Sequence, residues 1–466
     1  MHASQRNDSG GWWRAWWPRH VALGYLAWLM AACSNAADTA AELQDNAVPR
    51  PPAVSVLRSI ARPLSGPDDL DPLLARAADS QLVLLGEASH GTSEFYLWRA
   101  TISERLIEEQ GFNFIAVEGD WVTLWKLNQY AKHLDSPYAS AREIMATFTR
   151  WPTWMWANEE TAELIEWLRD FNADRPRAER VGFYGIDVYG EEQAMDAAVA
   201  RLQGMDADGA EVVTRAYACF DPFRGNMHQY ARAVALGDAD CSEAVASAYA
   251  LLQTLLADAA PEDRYEVWST KMLTKVAKNA ERHFRLMVQG GPASWNARVD
   301  HFYGVVERLL EWYGPDARGV VWAHNTHIGD ARATAMTNQG QYNMGQLARQ
   351  GLGADQVLAV GFGTHRGTVQ AGREWGGAME TMTVPPGRPG SAEDWMQQVT
   401  DDATLFLFDE AEDLGPLQEV VGHRAIGVVY HPERERLGNY VPTILPRRYD
   451  AFLFFAETRA LRPLDR

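Results

Sequence analysis

Cysteine is scarce: three in 466 residues, at positions 33, 219 and 241. The two that follow Cys33 are too few for a disulfide framework or a thiolate zinc site. Positive charge is also short. Lys and Arg number 43 against 62 Asp and Glu, a formal charge of −19. That balance argues against nucleic acid and anionic membrane surfaces as partners and mildly favours a neutral or cationic small substrate. The apolar run Val21–Ala32 is too short to span a bilayer comfortably. There is no internal repeat, and low complexity is confined to residues 34–54. What is present is ordinary globular material: 47% hydrophobic residues, enough to bury a sizeable core.

Arg14 and Arg19 precede the apolar run, which ends in Leu29-Met-Ala-Ala-Cys33. Residues 1–33 therefore read as an export signal with a lipoprotein-like cleavage site and lipidation at Cys33. The alternative is ordinary cleavage near Ala36 or Ala37, with Cys33 discarded. Trp12, Trp13, Trp16 and Trp17 suit the interfacial flank of such a segment. Either route exports the chain, as a periplasmic protein or a membrane-anchored lipoprotein that touches the membrane only through its lipid. In an oxidising compartment Cys219 and Cys241 can pair; the alternative is two buried thiols. Residues 34–54 read as a flexible tether and 55–466 as the folded domain.

Residues 55–80 look helical. Leu82–Gly86 is a short apolar run bounded by glycine, the pattern of a buried strand. A helix is predicted over 93–110, with Phe95, Trp98, Ile102 and Leu106 on its buried side, Thr92 or Ser93 as cap and Gly111 as its end. Further strands are predicted at 114–118, 181–187, 319–323, 357–362, 404–408, 425–430 and 451–455. From about 190 to 313 only helical patterns occur, which reads as a large helical insertion. Strands alternating with helices predict an α/β fold, three-layer α/β/α, on a mostly parallel sheet.

The first five strands end in ionisable groups: Glu87 and His90; Glu118 and Asp120; Asp187; His324 and His327; His365 and Arg366. Unpaired buried charge is costly, so such a series at one sheet edge is an active-site pattern. A histidine beside carboxylates makes a general base with its orienters, and a second histidine can face a developing oxyanion. Ser89 is a poor nucleophile candidate, because the nucleophile elbow needs glycine where Glu87 stands. The same acids and histidines are numerous enough to ligate a divalent metal, so composition leaves that reading open. Trp151, Trp154 and Trp156 read as core or as cleft lining. His133, His228, His283 and His301 read as solvent-facing or structural, although His228 and His301, in the insertion, can reach substrate.

Gly86-Glu-Ala-Ser-His-Gly-Thr-Ser-Glu94, Arg99, Val117-Glu118, Tyr184-Gly-Ile-Asp187, Ser294-Trp-Asn-x-Arg298, Trp322-Ala-His-Asn-x-His327 and Gly367-Thr-Val together resemble the erythromycin esterase family, in order over about residues 80–440. The resemblance implies hydrolysis of a carboxylic ester, in named members the macrolactone of erythromycin-type antibiotics, without metal or other cofactor. It implies that His90 activates water, with Glu87, Glu118, His324 and Arg99 completing the catalytic set. An Arg99–Glu118 fork is expected if the 93–110 helix packs beside the second strand. Substrate contacts are expected from His327, Asn325, Asp187, His365 and Glu94. Val299 stands where the family pattern has an acid after Arg298, with Asp300 following; that departure bears on substrate fit. Two other readings are kept. A metal-dependent hydrolase would lose activity to a chelator and regain it with zinc or manganese. An exported binding protein would show no turnover for His90→Ala to abolish.

Overall fold

The computed structural model describes residues 51–256 and 264–464. The expected export signal with Cys33, and the expected tether up to residue 50, lie outside the described residues. Nine strands form one sheet: β1 (Ala61–Pro63), β2 (Leu82–Leu85), β3 (Phe114–Asp120), β4 (Gly182–Asp187), β5 (Gly319–Trp322), β6 (Val357–Gly372), β7 (Met379–Val384), β8 (Thr404–Leu407) and β11 (Ala451–Thr458). Two more, β9 (Val421–Arg424) and β10 (Tyr440–Thr443), pair antiparallel on their own. The main order is β1-β8-β11-β6-β2-β5-β3-β4, with β7 on the extension of β6. From β11 across to β4 all pairings are parallel; β1, β7 and β8 add antiparallel edges.

Side chains alternate across each strand, and here both faces are buried. Val83, Leu85, Ile115, Val117, Val320 and Trp322 join one core with the helix Ser93–Gln110 and the helix Glu159–Asn172. Leu82, Leu84, Phe114, Ala116 and Val321 join another, packed by the helices Arg264–Met287, Ala293–Tyr313 and Met344–Leu352. The result is three layers on a mostly parallel sheet. The helix Ser93–Gln110 ends as the sequence implies, at Gly111 with φ 70° in the left-handed region. Its start differs: Thr92 is the N-cap residue but makes no side-chain cap, because its hydroxyl bonds Ser89 Oγ.

Between Asp187 and Gly319 no strand occurs among the described residues. The helices Glu191–Gln203, Ala207–Tyr217, Met227–Leu236 and Ser242–Leu255 share a core of their own with part of Arg264–Met287. Cys219 and Cys241 are bonded there, 22 positions apart. Closing a loop of that size restricts the unfolded chain and is worth about 3 kcal/mol. Urea unfolding of a Cys219→Ser/Cys241→Ser variant should show a loss of that order.

Four expectations are corrected. Residues 55–80 are not one helical stretch: a helix spans Pro51–Ser59, so helix is present at residues expected to belong to the tether, and β1 follows as an edge strand. Ala53 and Val54 are buried against the second core, which holds that helix in place. The strand expected at 425–430 lies at Val421–Arg424, with only isolated bridges beyond it. The strand beginning at Val357 does not stop near 362 but runs to Gly372. There the hairpin partner β7, largely exposed and without an apolar run, had no sequence signal.

Candidate active site

The first motif sits in the turn after β2. Gly86 is demanded by close approach: a Cβ there would lie 2.0 Å from Asn325 Oδ1. Glu87 and His90 then face each other across the turn, Oε1 to Nδ1, at 2.8 Å. The second oxygen of Glu87 lies 2.8 Å from Arg99 Nη2. The Arg99 guanidinium is buried between the rings of Tyr96 and Trp322, 4.4 and 4.7 Å from their centres. The expected Arg99–Glu118 fork is therefore not formed. β5 lies between β2 and β3, so this helix, which leaves β2, brings Arg99 back to the end of its own strand. Ser89 Oγ is taken up by the Thr92 hydroxyl.

Glu118, two residues before the end of β3, and Asp187, which ends β4, lie on the same edge. Their cation is Arg298, on the helix Ala293–Tyr313, a residue that sequence reasoning tied only to substrate fit. Arg298 Nη2 donates to Glu118 Oε1 at 2.9 Å and to Asp187 Oδ2 at 2.6 Å; Nε donates to Asp187 Oδ1 at 2.9 Å, and Nη1 to His327 Nε2 at 3.2 Å. The missed signal was present: two acids at adjacent strand ends need a cation, and Arg298 stood in a motif already singled out. Both oxygens of Asp187 bind Arg298, so Asp187 holds the site together and is not the free substrate contact expected.

After β5 the chain makes a single helical turn, Asn325–Ile328. His324 N donates to Glu118 Oε2 at 2.9 Å. His324 Nδ1 accepts from Thr326 N at 3.2 Å and lies 2.8 Å from Thr326 Oγ1. A nitrogen that accepts a backbone N–H carries no proton, so in the neutral ring Nε2 carries it. That Nε2 is buried without a hydrogen-bond partner among the described residues; the Ala88 carbonyl pulls on the ring from outside hydrogen-bond geometry. The His324 and His90 rings are 5.1 Å apart, centre to centre. His327 lies flat against Trp295, 4.6 Å between ring centres, with Nε2 3.4 Å from Glu118 Oε1. The Asn325 side chain is engaged within the protein. Its amide is buried, donating to Phe362 O at 2.7 Å and to His423 Nε2 at 3.1 Å.

The environments push the titrations apart. Burial lowers the pKa of His90, but the charge of Glu118 and the hydrogen bond and charge of Glu87 outweigh it, and the net shift is upward from 6.5. His324 goes the other way, well below 6.5, through burial and the neighbouring His90 charge. Burial would raise Glu118, yet His327, His90 and Arg298 hold it well below the usual carboxylate range. One raised and one depressed histidine, side by side, is an arrangement that can serve as a base beside a neutral donor.

Other expected contacts stand apart from this cluster. His365 lies on β6, where Val360 pairs with Leu85 at the end of β2. Five residues further along a strand is roughly 16 Å, and the charges facing His365 are Arg424, Asp394, Arg366 and Glu393. Glu94 turns outward to Arg459, bonding its N at 2.7 Å and Nε at 3.0 Å. Trp154 and Trp156 are core, and Trp151 packs on the exposed Trp375 with ring centres 4.8 Å apart. His301 is buried, 3.2 Å from the Asp187 carbonyl oxygen. Among the described residues no group of three or more His, Cys, Asp or Glu is spaced to hold a metal ion.

The erythromycin esterase family matches residues 107–458 of the chain. An Escherichia coli protein, erythromycin esterase type II, is 29% identical over 134 residues, an alignment covering 26% of this chain and 26% of that protein. The match thus spans about a quarter of the relative's length. Among solved structures, a succinoglycan biosynthesis protein superposes with TM-score 0.72 at 20% identity, over 89% of this chain and 99% of its own. A Bacillus cereus protein gives 0.70 at 17%, over 90% and 100%. An erythromycin esterase mutant in its open conformation gives 0.61 at 17%, over 85% and 95%. Structures that distant share the fold. With most of its length matched by the family, this chain belongs to the erythromycin esterase family.

Proposed function

We propose that this protein hydrolyses a carboxylic ester or lactone with water activated by His90. Family membership supports an esterase-like hydrolase, and the name of the E. coli relative makes a macrolactone the first substrate to try. The observation that carries the reading is the pairing of His90, oriented through Nδ1 by Glu87, with a neutral His324 whose Nε2–H is unsatisfied. His90 Nε2 takes a proton from water as the water oxygen bonds to the carbonyl carbon. Glu87, anchored by Arg99, and Glu118 stabilise the imidazolium so formed. The carbonyl π electrons move to oxygen, and the oxyanion receives the His324 Nε2–H. The intermediate then expels the alkoxide, and His90 returns the proton to it.

His90 works as a base only when neutral. Because its pKa is raised in the fold, kcat/KM should climb with pH through a midpoint above 6.5. Glu118→Gln removes the main charge holding the proton on, so the midpoint should move down. The favourable charge on His90 also stabilises the fold, fully below pH 6.5, and that contribution is lost as pH rises through the raised value. A pH–rate series on both proteins checks this. An unmoved midpoint would contradict the assignment of the base.

A further inference from the structure

Behind the catalytic turn lies a second set of buried charges that the reaction does not use. Glu393 Oε1 accepts from His423 Nδ1 at 2.7 Å and from Arg424 N at 2.8 Å. With its proton on Nδ1, His423 presents a lone pair at Nε2, which accepts from the Asn325 amide at 3.1 Å. Arg448 is fully buried; its Nη2 donates to Asn325 O at 2.9 Å and its Nη1 to Thr443 Oγ1 at 2.6 Å. Among the described residues no carboxylate lies within ion-pair distance of Arg448. Asn325 N in turn donates to Glu87 O at 2.9 Å.

Burying an arginine without a counterion costs stability, and apolar residues of similar volume commonly do better. Packing therefore does not explain Arg448. What the group shares is its target: His423 takes the side chain of Asn325, Arg448 takes its carbonyl, and Asn325 joins His324 to the main chain of Glu87. We propose that Glu393, His423 and Arg448 are positioning residues for the catalytic turn. They fix Asn325, and through it the orientation in which His324 accepts at Nδ1 and presents Nε2–H.

The proposal rests on the reading of His324 as oxyanion donor, but its test need not. In the full-length protein labelled with 15N-imidazole histidine, wild-type His324, assigned by difference with His324→Gln, should show a single neutral Nε2–H tautomer. In His423→Phe that signal should shift toward a mixture of tautomers. On any ester the protein cleaves, kcat should fall up to about 100-fold with KM held, as a small misplacement of a reacting group does. Arg448→Met separates positioning from packing: urea stability should be unchanged or higher, while the His324 signal changes as in His423→Phe. It also stands in if His423→Phe does not fold. A folded variant of either kind with wild-type His324 signals overturns the proposal, whatever its activity. A changed tautomer in a protein that cleaves no ester supports the positioning and counts against the proposed reaction instead.

Discussion

Arg298→Met should cost the protein about 3–5 kcal/mol, the usual consequence of removing one partner from a buried ion pair. One guanidinium satisfies Glu118, Asp187 and His327 together. Without it two buried carboxylates face each other, and one must take up a proton. Burial alone raises the Asp187 pKa, and Arg298 is the main influence holding it below 3.8. A depressed carboxylate contributes stability above its unfolded pKa and loses it as pH falls through its folded value. Wild type should therefore hold this contribution in full above pH 3.8 and lose it only as pH falls further, whereas in the variant the carboxyl that must take up a proton penalises the fold most at neutral pH, so the stability gap should be widest there and narrow on acidification. Urea titrations between pH 3 and 7 measure both effects. Activity should fall in parallel, because Glu118 also receives the His324 N–H and tunes His90.

His324→Phe should lower kcat by about 10²–10³-fold, the effect of deleting one donor to a tetrahedral oxyanion, with KM changed little. The ring volume is kept, so loss of packing is a minor part of the result. His324→Gln places an amide N–H in reach of the same position and should recover part of the loss. The acid limb of the pH profile should persist in both variants, since it belongs to His90. Because His324 is held neutral well below pH 6.5, no second titration from it should appear in the working range. Steady-state kinetics with matched pH series decide between a donor and a second base: loss of the limb together with His324 would assign the base there.

The edge of the sheet was legible in the sequence because buried parallel strands are continuous apolar runs, and their ends are where polar residues resume. Glu87, His90, Glu118, Asp187, His324 and His327 all occur at those ends and come together in space. Strand order was not legible. Placing β5 between β2 and β3 moves Arg99 from Glu118 to Glu87, and no local pattern announces it. His365 was misplaced for a related reason: the polar residues near 364–366 resemble a strand end, yet β6 continues past them into a hairpin. Arg298 escaped because a helical segment shows its periodicity and not which of its polar side chains turns toward a strand end. Asn325 read as polar and therefore available, whereas its amide is consumed by Phe362 and His423.

The most direct test is mass spectrometry of a panel of macrolides, simple lactones and aryl esters after incubation with the protein and with its His90→Ala variant. At least one ester or lactone should gain a single water with the wild type and remain intact with the variant. Equal hydrolysis by both proteins would remove His90 from the centre of the mechanism, and an unchanged panel would contradict ester hydrolysis as the reaction of this site.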